Sequence, residues 1–320
     1  MISGERVLIT GGAGFIGSHV ADRLADENVV TVLDDFSVGS EHHLSFLPSE
    51  RIVDADVCDS AAVRSAVAGH DVVIHMAAMM GVRRTLQNPL EVLRVNTDGT
   101  QTVLEAAVEA DVDRVLFAST SEVYGDVPDV PYHEADAKAP ETNYAVAKLA
   151  SERFVRAYTA KHDLDHTIVR YFNAYGPRQD GSAYGYVIPI FVDRALSGER
   201  IEIHGDGHQT RDFTFIDDAV DCTIAALGPG GRNETFNVGT GTETKIRSLA
   251  MAVADAVDGA EAVHVEHPRP YVIEQRCADI SRAKARLEYE PTTTVREGIR
   301  RTVEYFEGNA TRESSSLSSK

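Results

Sequence analysis

Short apolar runs alternate with amphipathic stretches along the first half of the chain. Six runs rich in valine, isoleucine and leucine have the length of buried strands, and four stretches between them have the length of helices. The predicted strands are Arg6–Thr10, Val29–Asp34, Arg51–Ala55, Asp71–Met76, Arg114–Ser119 and Thr167–Phe172. The predicted helices are Phe15–Asp26, Ala61–Ala68, Pro89–Glu109 and Asn143–Lys161. Because buried strands that alternate with helices form parallel sheets covered on both faces, this pattern predicts a doubly wound, Rossmann-like α/β fold.

The rhythm changes after about Ala174, where loops lengthen and elements shorten. The elements predicted here are helix Val187–Ser197, strands Ile201–His204 and Phe213–Ile216, and helices Asp217–Leu227 and Ile246–Asp258. The last helix has one apolar face, formed by Ile246, Leu249, Val253 and Val257. We therefore predict a Rossmann-like domain over residues 1–174, joined by segments near 210–240, and a smaller lobe over 175–307. The polar tail 308–320 is predicted to be disordered.

The charge balance limits the classes of ligand. The formal net charge is −19, and such a surface does not suit DNA or RNA, which bind to basic surfaces. Only six of the 31 basic residues are lysines. An acidic, lysine-poor composition favours a protein that works in concentrated salt, where screening removes self-repulsion, although an ordinary acidic enzyme can also have it.

Neither a membrane anchor nor a metal site is expected from the sequence. No stretch approaches the roughly 20 apolar residues of a membrane span, and the first predicted strand leaves no room for a signal peptide. The three cysteines are Cys58, Cys222 and Cys277, and their unrelated spacings show no metal-ligand pattern. We therefore expect a cytoplasmic protein with reduced thiols.

Three glycines after the first strand have a spacing typical of dinucleotide binding. Gly11 permits a tight turn, Gly14 lets the backbone approach a pyrophosphate, and Gly17 lets the helix pack on the strand. Asp34 ends the second strand, where a carboxylate can bind the adenosine ribose and repel a 2′-phosphate, so NAD is favoured over NADP. The other contacts expected from the turn and the strand ends are Phe15, Ile16, Asp35, Phe36, Ser37, Asp56, Val57, Met76, Ala77 and Ala78.

A tyrosine and a lysine lie four residues apart in the predicted helix Asn143–Lys161. Tyr144 and Lys148 therefore share one face of that helix. The ammonium group of Lys148 can stabilise the phenolate of Tyr144, which makes the phenol a usable base. The polar run Ser119–Glu122 stands at the carboxyl end of the fifth strand, where open α/β sheets bind their ligands. Together these residues predict a catalytic centre.

In combination these motifs make the chain similar to extended short-chain dehydrogenases/reductases of the nucleotide-sugar epimerase/dehydratase group. The resemblance covers about Arg6 to Phe306. Besides the glycine turn and the Tyr144/Lys148 pair, it rests on Ser119–Gly125, Arg170–Asn173, Tyr175–Arg178 and Gln209–Phe213. It implies that tightly held NAD accepts hydride from C4 of a nucleotide-sugar, which leaves a 4-keto intermediate. Rotation and re-reduction, loss of water or loss of CO2 then distinguishes the members.

The resemblance also implies roles for individual residues. Tyr144 would be the base at the C4 hydroxyl, Lys148 would tune it and hold the nicotinamide ribose, and Thr120 would hydrogen-bond the same sugar oxygen. Glu122 is a further catalytic candidate. The remaining cofactor contacts are Ser119, Tyr171 and Asn96, the last matching a residue that positions the helix of Tyr144. The residues expected at the nucleotide-sugar are Ser121, Asn173, Val187, Arg211, Arg269 and Arg276.

The resemblance further implies a homodimer. The helix that bears Tyr144 and the preceding long helix would pack against their copies in a four-helix bundle. The apolar side chains that could form this contact are Ala145, Leu149, Phe154, Val155, Val103, Leu104 and Ala107. The same side chains could instead face the sheet.

The sequence leaves the reaction open between alternatives. The loop Gly176–Pro189 is similar to that of 4-epimerases, which need no additional acid or base. Glu122 is similar to an active glutamate of UDP-glucuronate decarboxylases and GDP-mannose dehydratases, and Arg276 stands where decarboxylases have an arginine. A 4,6-dehydratase would be expected to have an aspartate at Ser121. We predict a UDP-hexose 4-epimerase, with a UDP-glucuronate decarboxylase or a nucleotide-sugar 4,6-dehydratase as alternatives and an inactive NAD-binding sensor as a remote one.

Overall fold

A seven-stranded parallel sheet with a hydrophobic cluster on each face forms the centre of the molecule. The computed structural model describes residues 2–126, 129–179, 186–266 and 274–317. Its strands are β1 (Arg6–Thr10), β2 (Val29–Asp34), β3 (Ile52–Asp54), β4 (Val72–His75), β5 (Arg114–Thr120), β6 (Asp165–Tyr171), β7 (Ala174–Tyr175), β8 (Ile201–His204), β9 (Thr210–Arg211), β10 (Thr214–Phe215), β11 (Glu234–Val238), β12 (Thr244–Lys245) and β13 (Ala262–Val265). Its helices are α1 (Phe15–Ala25), α2 (Ser60–Val67), α3 (Val82–Gln87), α4 (Pro89–Glu109), α5 (Asn143–Lys161), α6 (Val187–Leu196), α7 (Ile216–Ala226), α8 (Ile246–Ala256), α9 (Ser281–Leu287) and α10 (Val295–Leu317). The strand order β11-β6-β5-β4-β1-β2-β3 confirms the predicted doubly wound, Rossmann-like fold.

The order of the strands reverses beside β1. This strand pairs with β2 on one side and with β4 on the other. The connections that leave the carboxyl ends of β1 and β4 therefore diverge and open a crevice between them. Gly11 follows β1, Met76 follows β4 and Thr120 ends β5, so the crevice brings the predicted cofactor and catalytic residues to one edge of the sheet.

The edge strand beside β6 was not predicted. Strand β11 pairs with β6 in parallel, from Glu234 opposite Thr167 to Val238 opposite Tyr171. Its sequence has no continuous apolar run, since it contains Asn237, whose side chain points into the interior. That amide is satisfied there, since it accepts a hydrogen bond from Tyr124 Oη (2.6 Å) and donates to a backbone carbonyl (2.7 Å). A prediction based on apolar runs misses such a strand, because its buried polar residue is satisfied by partners in distant segments.

The remaining elements form a smaller layer beside the carboxyl edge, which we call the second lobe: β8 with β13, β9 with β12, and helices α6, α8 and α10. In α8 the predicted apolar face is correct, since all four of its side chains are buried. The predicted strand Phe213–Ile216 is shorter in the structure because Ile216 already begins α7. Helix α7 packs against α1 on the large sheet.

Helix α10 continues to Leu317 and so includes most of the tail 308–320, whose predicted disorder stays a prediction. The first turns of this helix are anchored by the buried Ile299 and Val303. Before the helix, the carboxylate of Asp218 accepts the backbone N–H groups of Thr292 (2.9 Å) and of the next residue (3.0 Å). Once a helix has been nucleated, each further residue that is fixed adds one hydrogen bond without repeating the nucleation cost, so a polar continuation can remain helical.

Two absences hold for the described part of the chain. None of its helices is both long enough and apolar enough to cross a bilayer. Its histidine, cysteine and acidic side chains form no group of three or more that could bind a metal ion.

Candidate active site

The carboxyl ends of the strands open into a cavity of about 590 Å³ that extends to the second lobe. Its volume is in the usual range for small-ligand sites. The predicted residues on its wall are Gly11, Gly14, Phe15, Ile16, Gly17, Asp34, Asp35, Ser37, Asp56, Val57, Met76, Ala77, Ala78, Ser119, Thr120, Ser121, Glu122, Tyr144, Lys148, Tyr171, Asn173, Val187 and Arg276. Phe36, Asn96 and Arg211 are not on the wall, and Arg269 lies outside the described residues.

The glycine turn leaves no room for side chains. Gly11 has φ +70°, and a Cβ there would lie 2.5 Å from the backbone nitrogen of Ala77. A Cβ on Gly17 would lie 2.2 Å from the carbonyl oxygen of Gly11. Helix α1 begins after Gly14, and no described side chain caps it. The first amides of α1 therefore face the cavity and suit an anionic group such as a pyrophosphate.

Asp34 is held in place by two backbone amides. Its carboxylate accepts hydrogen bonds from the N–H groups of Ala13 (2.9 Å) and Phe36 (3.0 Å). Burial raises the pKa of Asp34, whereas these two hydrogen bonds lower it. Phe36 adopts φ +52° and its side chain packs against the core, so its predicted contact with the cofactor stays a prediction. Its part in the site is the amide that it donates to Asp34.

Asn96 lies behind the wall of the cavity rather than on it. Its side-chain nitrogen donates to the carbonyls of Met79 and Val92, both at 2.8 Å. Its main-chain carbonyl accepts the hydroxyl of Ser151 on α5 (2.9 Å). Asn96 therefore links the loop after β4 to the helix that bears Tyr144, and it positions the site without reaching the cavity.

A buried chain of hydrogen bonds fixes the tautomer of His75. The Thr100 hydroxyl donates to the main-chain carbonyl of Asn96 (2.7 Å), so it accepts from Nε2 of His75 (3.1 Å). Nδ1 of the neutral ring must then accept from the hydroxyl of Thr10 (2.7 Å). The oxygen of Thr10 remains free to accept from the amide of Ala77 at 3.4 Å. The chain joins a wall residue of the cavity to helix α4.

We expect His75 to remain neutral, with its proton on Nε2, down to about pH 3, because burial and the nearby Lys148 lower its pKa to about 3. Imidazole in an unfolded chain is protonated below about pH 6.5. The unfolded state therefore binds more protons between these limits, so stability falls as the pH decreases, by about 1.4 kcal/mol per pH unit for this residue. Nitrogen NMR on labelled protein reads the tautomer, and denaturant unfolding at several pH values compares wild type with His75→Gln. A proton on Nδ1, or equal slopes for both proteins, would contradict the assignment.

Helix α5 turns Tyr144 and Lys148 towards the cavity. Its first turn is capped by Thr142, whose hydroxyl oxygen accepts the N–H of Ala145 (3.0 Å). The ammonium nitrogen of Lys148 lies 5.9 Å from the ring centroid of Tyr144 and donates to the carbonyl of Ala118 (2.8 Å). Both side chains are buried. Burial lowers the pKa of Lys148 to about 7. The pair therefore places a phenol and a tunable cation beside the carboxyl end of β5.

The residues after β5 form a tight turn. The oxygen of Thr120 accepts the N–H of Glu122 (3.2 Å), which leaves the hydroxyl hydrogen of Thr120 available to the cavity. The carboxylate of Glu122 accepts the hydroxyl of Thr142, the residue that caps α5 (3.1 Å). Glu122 thus has a structural partner at the cap of α5, although it also lines the cavity.

Two arginines lie near the second lobe, and only one of them reaches the cavity. Arg276 is buried on the wall, and its Nε has no hydrogen-bond partner among the described residues. Arg211 donates to the carbonyl of Thr210 (2.6 Å) and is not on the wall. Burial and then the charge of Arg276 lower the pKa of Arg211 to about 10. Their mutual repulsion indicates that an anion beside Arg276 would be stabilised.

Several wall residues were not predicted. Gln179 directly follows the motif Tyr175–Arg178, so its position beside a family motif could have marked it as a candidate. Its burial could not be predicted from the sequence. Its side-chain nitrogen donates to the carbonyl of Ala174 (3.0 Å), and Oε1 has no partner among the described residues. The other wall residues not predicted are Leu33, Val38, Gly39, Ala55, Met79, Met80, Arg84, Asn88, Glu91, Val95, Ala118, Ala174, Tyr175, Tyr186, Ile188, Pro189 and Phe213.

Comparisons of the sequence and of the structure with known proteins identify the same family. The model of the NAD dependent epimerase/dehydratase family matches residues 7–239. The chain is 38% identical to UDP-glucose 4-epimerase of Mycolicibacterium smegmatis and 36% identical to UDP-N-acetyl-alpha-D-glucosaminuronate decarboxylase of Bacillus cytotoxicus, each over 94% of this chain and 98% of the relative. It is similar to the structure of Thermus thermophilus UDP-glucose 4-epimerase complexed with NAD, with TM-score 0.86 and 33% identity over 95% of this chain and 99% of that one. These relatives catalyse different reactions at nearly equal identity.

Proposed function

Because the chain belongs to the NAD-dependent epimerase/dehydratase family, we propose that it is a nucleotide-sugar 4-epimerase that acts on a UDP-hexose through a 4-keto intermediate. The observation that carries this choice is the hydrogen bond between Thr142 and Glu122. Epimerisation at C4 needs one proton-transfer residue, and Tyr144 supplies it. The other carboxyl group beside it, that of Glu122, is engaged at the cap of α5, so no second acid or base is assigned.

The site fits the NAD that the family uses. A Cβ on Gly11 or Gly17 would collide with backbone atoms, so the tight turn depends on glycine at both positions, and the open amides of α1 can bind the pyrophosphate. Asp34 would hold the adenosine ribose through its fixed carboxylate, and Lys148 would hold the nicotinamide ribose. Bound NAD supplies the acceptor for hydride from the sugar carbon and the donor for its return.

The residues of the chain manage the proton at the C4 oxygen. Tyr144 removes it from the hydroxyl as C4 loses its hydrogen, and the positive charge of Lys148 stabilises the phenolate that does so. The hydroxyl of Thr120 donates a hydrogen bond to the same oxygen as negative charge develops. After the 4-keto sugar has turned its other face to the cofactor, Tyr144 returns the proton. The product is the C4 epimer, and the enzyme is restored.

One observation favours a UDP-glucuronate decarboxylase as the second candidate. Arg276 is buried on the wall, with Nε unpartnered and no carboxylate paired with it among the described residues. A uronate carboxylate at C6 would satisfy this guanidinium group. The diphosphate of any nucleotide-sugar would satisfy it equally, which is why the observation does not displace the epimerase. A 4,6-dehydratase has less support, because Ser121 stands where an acid would be expected.

Proton NMR of the purified enzyme distinguishes these reactions. We expect a C4 epimer to accumulate, without net formation of NADH, in a sample containing either UDP-glucose or UDP-N-acetylglucosamine in concentrated salt. UDP-xylose or a 4-keto pentose formed from UDP-glucuronate would replace the epimerase by the decarboxylase. A 6-deoxy-4-keto hexose would indicate a dehydratase.

We also propose a homodimer formed through α4 and α5, with a different contact surface from the one expected. Five of the side chains named for this contact are buried inside the subunit, which favours the alternative that they face the sheet: Ala145, Val155, Val103, Leu104 and Ala107. Phe154 and Leu149 are half-buried. Exposed apolar area on these helices is supplied instead by Leu90, which is 80% exposed, and Val146, which is 43% exposed.

A further inference from the structure

Two charged side chains of α5 reach adjacent residues of β5. Lys148 donates to the carbonyl of Ala118 (2.8 Å), and one turn later the carboxylate of Glu152 accepts the hydroxyl of Ser119 (2.7 Å). Both charged side chains are buried. The strand continues directly to Thr120, so the two bonds fix helix and strand beside the reacting oxygen.

Two arginines stabilise the ionised carboxylate of Glu152. Arg170 on β6 binds the two carboxylate oxygens with Nε (2.8 Å) and Nη2 (2.7 Å), and Arg156 adds a contact at 3.2 Å. Burial alone would raise the pKa of Glu152, but the hydrogen bonds and charge of Arg170 lower it. A buried carboxylate with a forked arginine partner is a stable ion pair rather than a neutral acid.

Among the described residues, Lys148 has no carboxylate within ion-pair distance. Burial favours its neutral form, and Glu152 is the group that opposes this effect. His75 on β4 lies near Lys148 and is neutral. Tyr144, on the same helix as Lys148, faces the ammonium group as an uncharged phenol. Arg170, on β6, is positive but already bound to Glu152. The balance of these groups makes the charge of Lys148 sensitive to the carboxylate one turn away.

We propose that Glu152 is a positioning residue for the reaction, which keeps Lys148 charged and thereby sets the pH range in which Tyr144 acts as a base. The inference rests on the proposed function, since it assumes that Tyr144 removes the proton. Glu152 does not line the cavity, so its side chain is not positioned to contact a ligand bound there. Its effect is transmitted through Lys148 and through Ser119, whose hydroxyl proton it holds.

The test is the pH profile of kcat for Glu152→Gln, which keeps the shape and removes the charge. Without the carboxylate, Lys148 loses its proton at lower pH and Tyr144 becomes a phenolate only at higher pH. We expect the acid limb to move up and the alkaline limb to move down, each by about 1 pH unit, so that the profile narrows. Limbs that stay in place while only the plateau falls would overturn the proposal, because a merely structural role predicts that result.

The matched control is Arg156→Gln. It removes the half-exposed outer partner of Glu152 and leaves the inner pair with Arg170 intact. We expect both limbs to remain within about 0.3 pH unit of wild type. Should Glu152→Gln fail to fold because Arg170 loses its counter-charge, Glu152→Gln combined with Arg170→Met removes both charges together. Because Lys148 also loses the repulsion of Arg170, a smaller narrowing in the same direction is expected there. Unmoved limbs in a folded double variant would again refute the proposal.

A second readout separates this inference from the proposed function. The near-ultraviolet absorbance of phenolate, taken as the difference between each protein and its Tyr144→Phe counterpart, titrates Tyr144 without turnover. We expect the titration of Glu152→Gln to lie about 1 pH unit above that of wild type. If this shift occurs but no nucleotide-sugar reacts, the coupling stands and the proposed reaction falls. If sugars react and the titrations coincide, the coupling falls alone.

Discussion

The Tyr144→Phe variant is expected to lose about 10²–10⁴-fold in kcat while it retains its affinity for NAD. The phenol is on the wall of the cavity, and its ring centroid lies 5.9 Å from Nζ of Lys148. It is the group proposed to remove the proton of the C4 hydroxyl. Phenylalanine keeps the ring and its packing but can neither accept nor return that proton. The cofactor contacts at Gly11 and Asp34 are untouched, so NAD binding is expected to persist.

The measurement compares initial rates by NMR and NAD affinity by calorimetry. A matched control is Tyr158→Phe on the same helix, whose hydroxyl makes only a long contact with the exposed Glu105 (3.4 Å). The control is expected to keep wild-type kcat. Turnover of Tyr144→Phe within about twofold of wild type would exclude Tyr144 as the base.

The Gly17→Ala variant is expected to lose at least about tenfold in NAD affinity and about 1–3 kcal/mol of stability. The new Cβ would lie 2.2 Å from the carbonyl oxygen of Gly11 and 2.9 Å from the Cα of Gly12, both backbone atoms that cannot rotate away. Helix α1 must therefore shift away from β1. The shift moves the amides that face the cavity and disturbs the packing of helix on strand.

Calorimetric titration with NAD and denaturant unfolding measure the two effects. Gly308→Ala is the control, because it lies inside α10 with open space at its Cβ position. It is expected to leave NAD affinity unchanged and to raise helix stability by about 0.5–1 kcal/mol at most. Wild-type NAD affinity in Gly17→Ala would show that the turn does not form the pyrophosphate site.

The predictable part of the fold is the part in which local pattern and tertiary packing agree. Strands β1 and β2 and helices α4 and α5 have the predicted bounds, because their apolar runs or stripes are packed as the sequence implies. Strand β11 was missed because Asn237 finds its partners on distant segments. Helix α10 was not predicted at all, and it can continue through polar residues because its first turns are anchored.

The same distinction applies to the site. The glycine turn and the Tyr144/Lys148 pair depend on spacing within one segment, and the structure brings both to the cavity. Asn96 was named with the cofactor contacts because the resemblance gives it a part in positioning the helix of Tyr144. Its depth behind the wall could not be predicted, because a sequence position carries no information about depth. The ion pair of Glu152 with Arg170 joins α5 to β6, so no local pattern could indicate it.

The most direct test of the central proposal follows the hydrogen at C4 of the substrate. A UDP-hexose that carries deuterium at C4 is incubated with the enzyme, and the product is examined by proton and deuterium NMR. If C4 is oxidised and re-reduced within one closed site, the deuterium stays at C4 of the epimer and none appears in water. Deuterium found at C6 would mean a dehydratase, and deuterium lost to solvent would contradict transfer at C4 altogether.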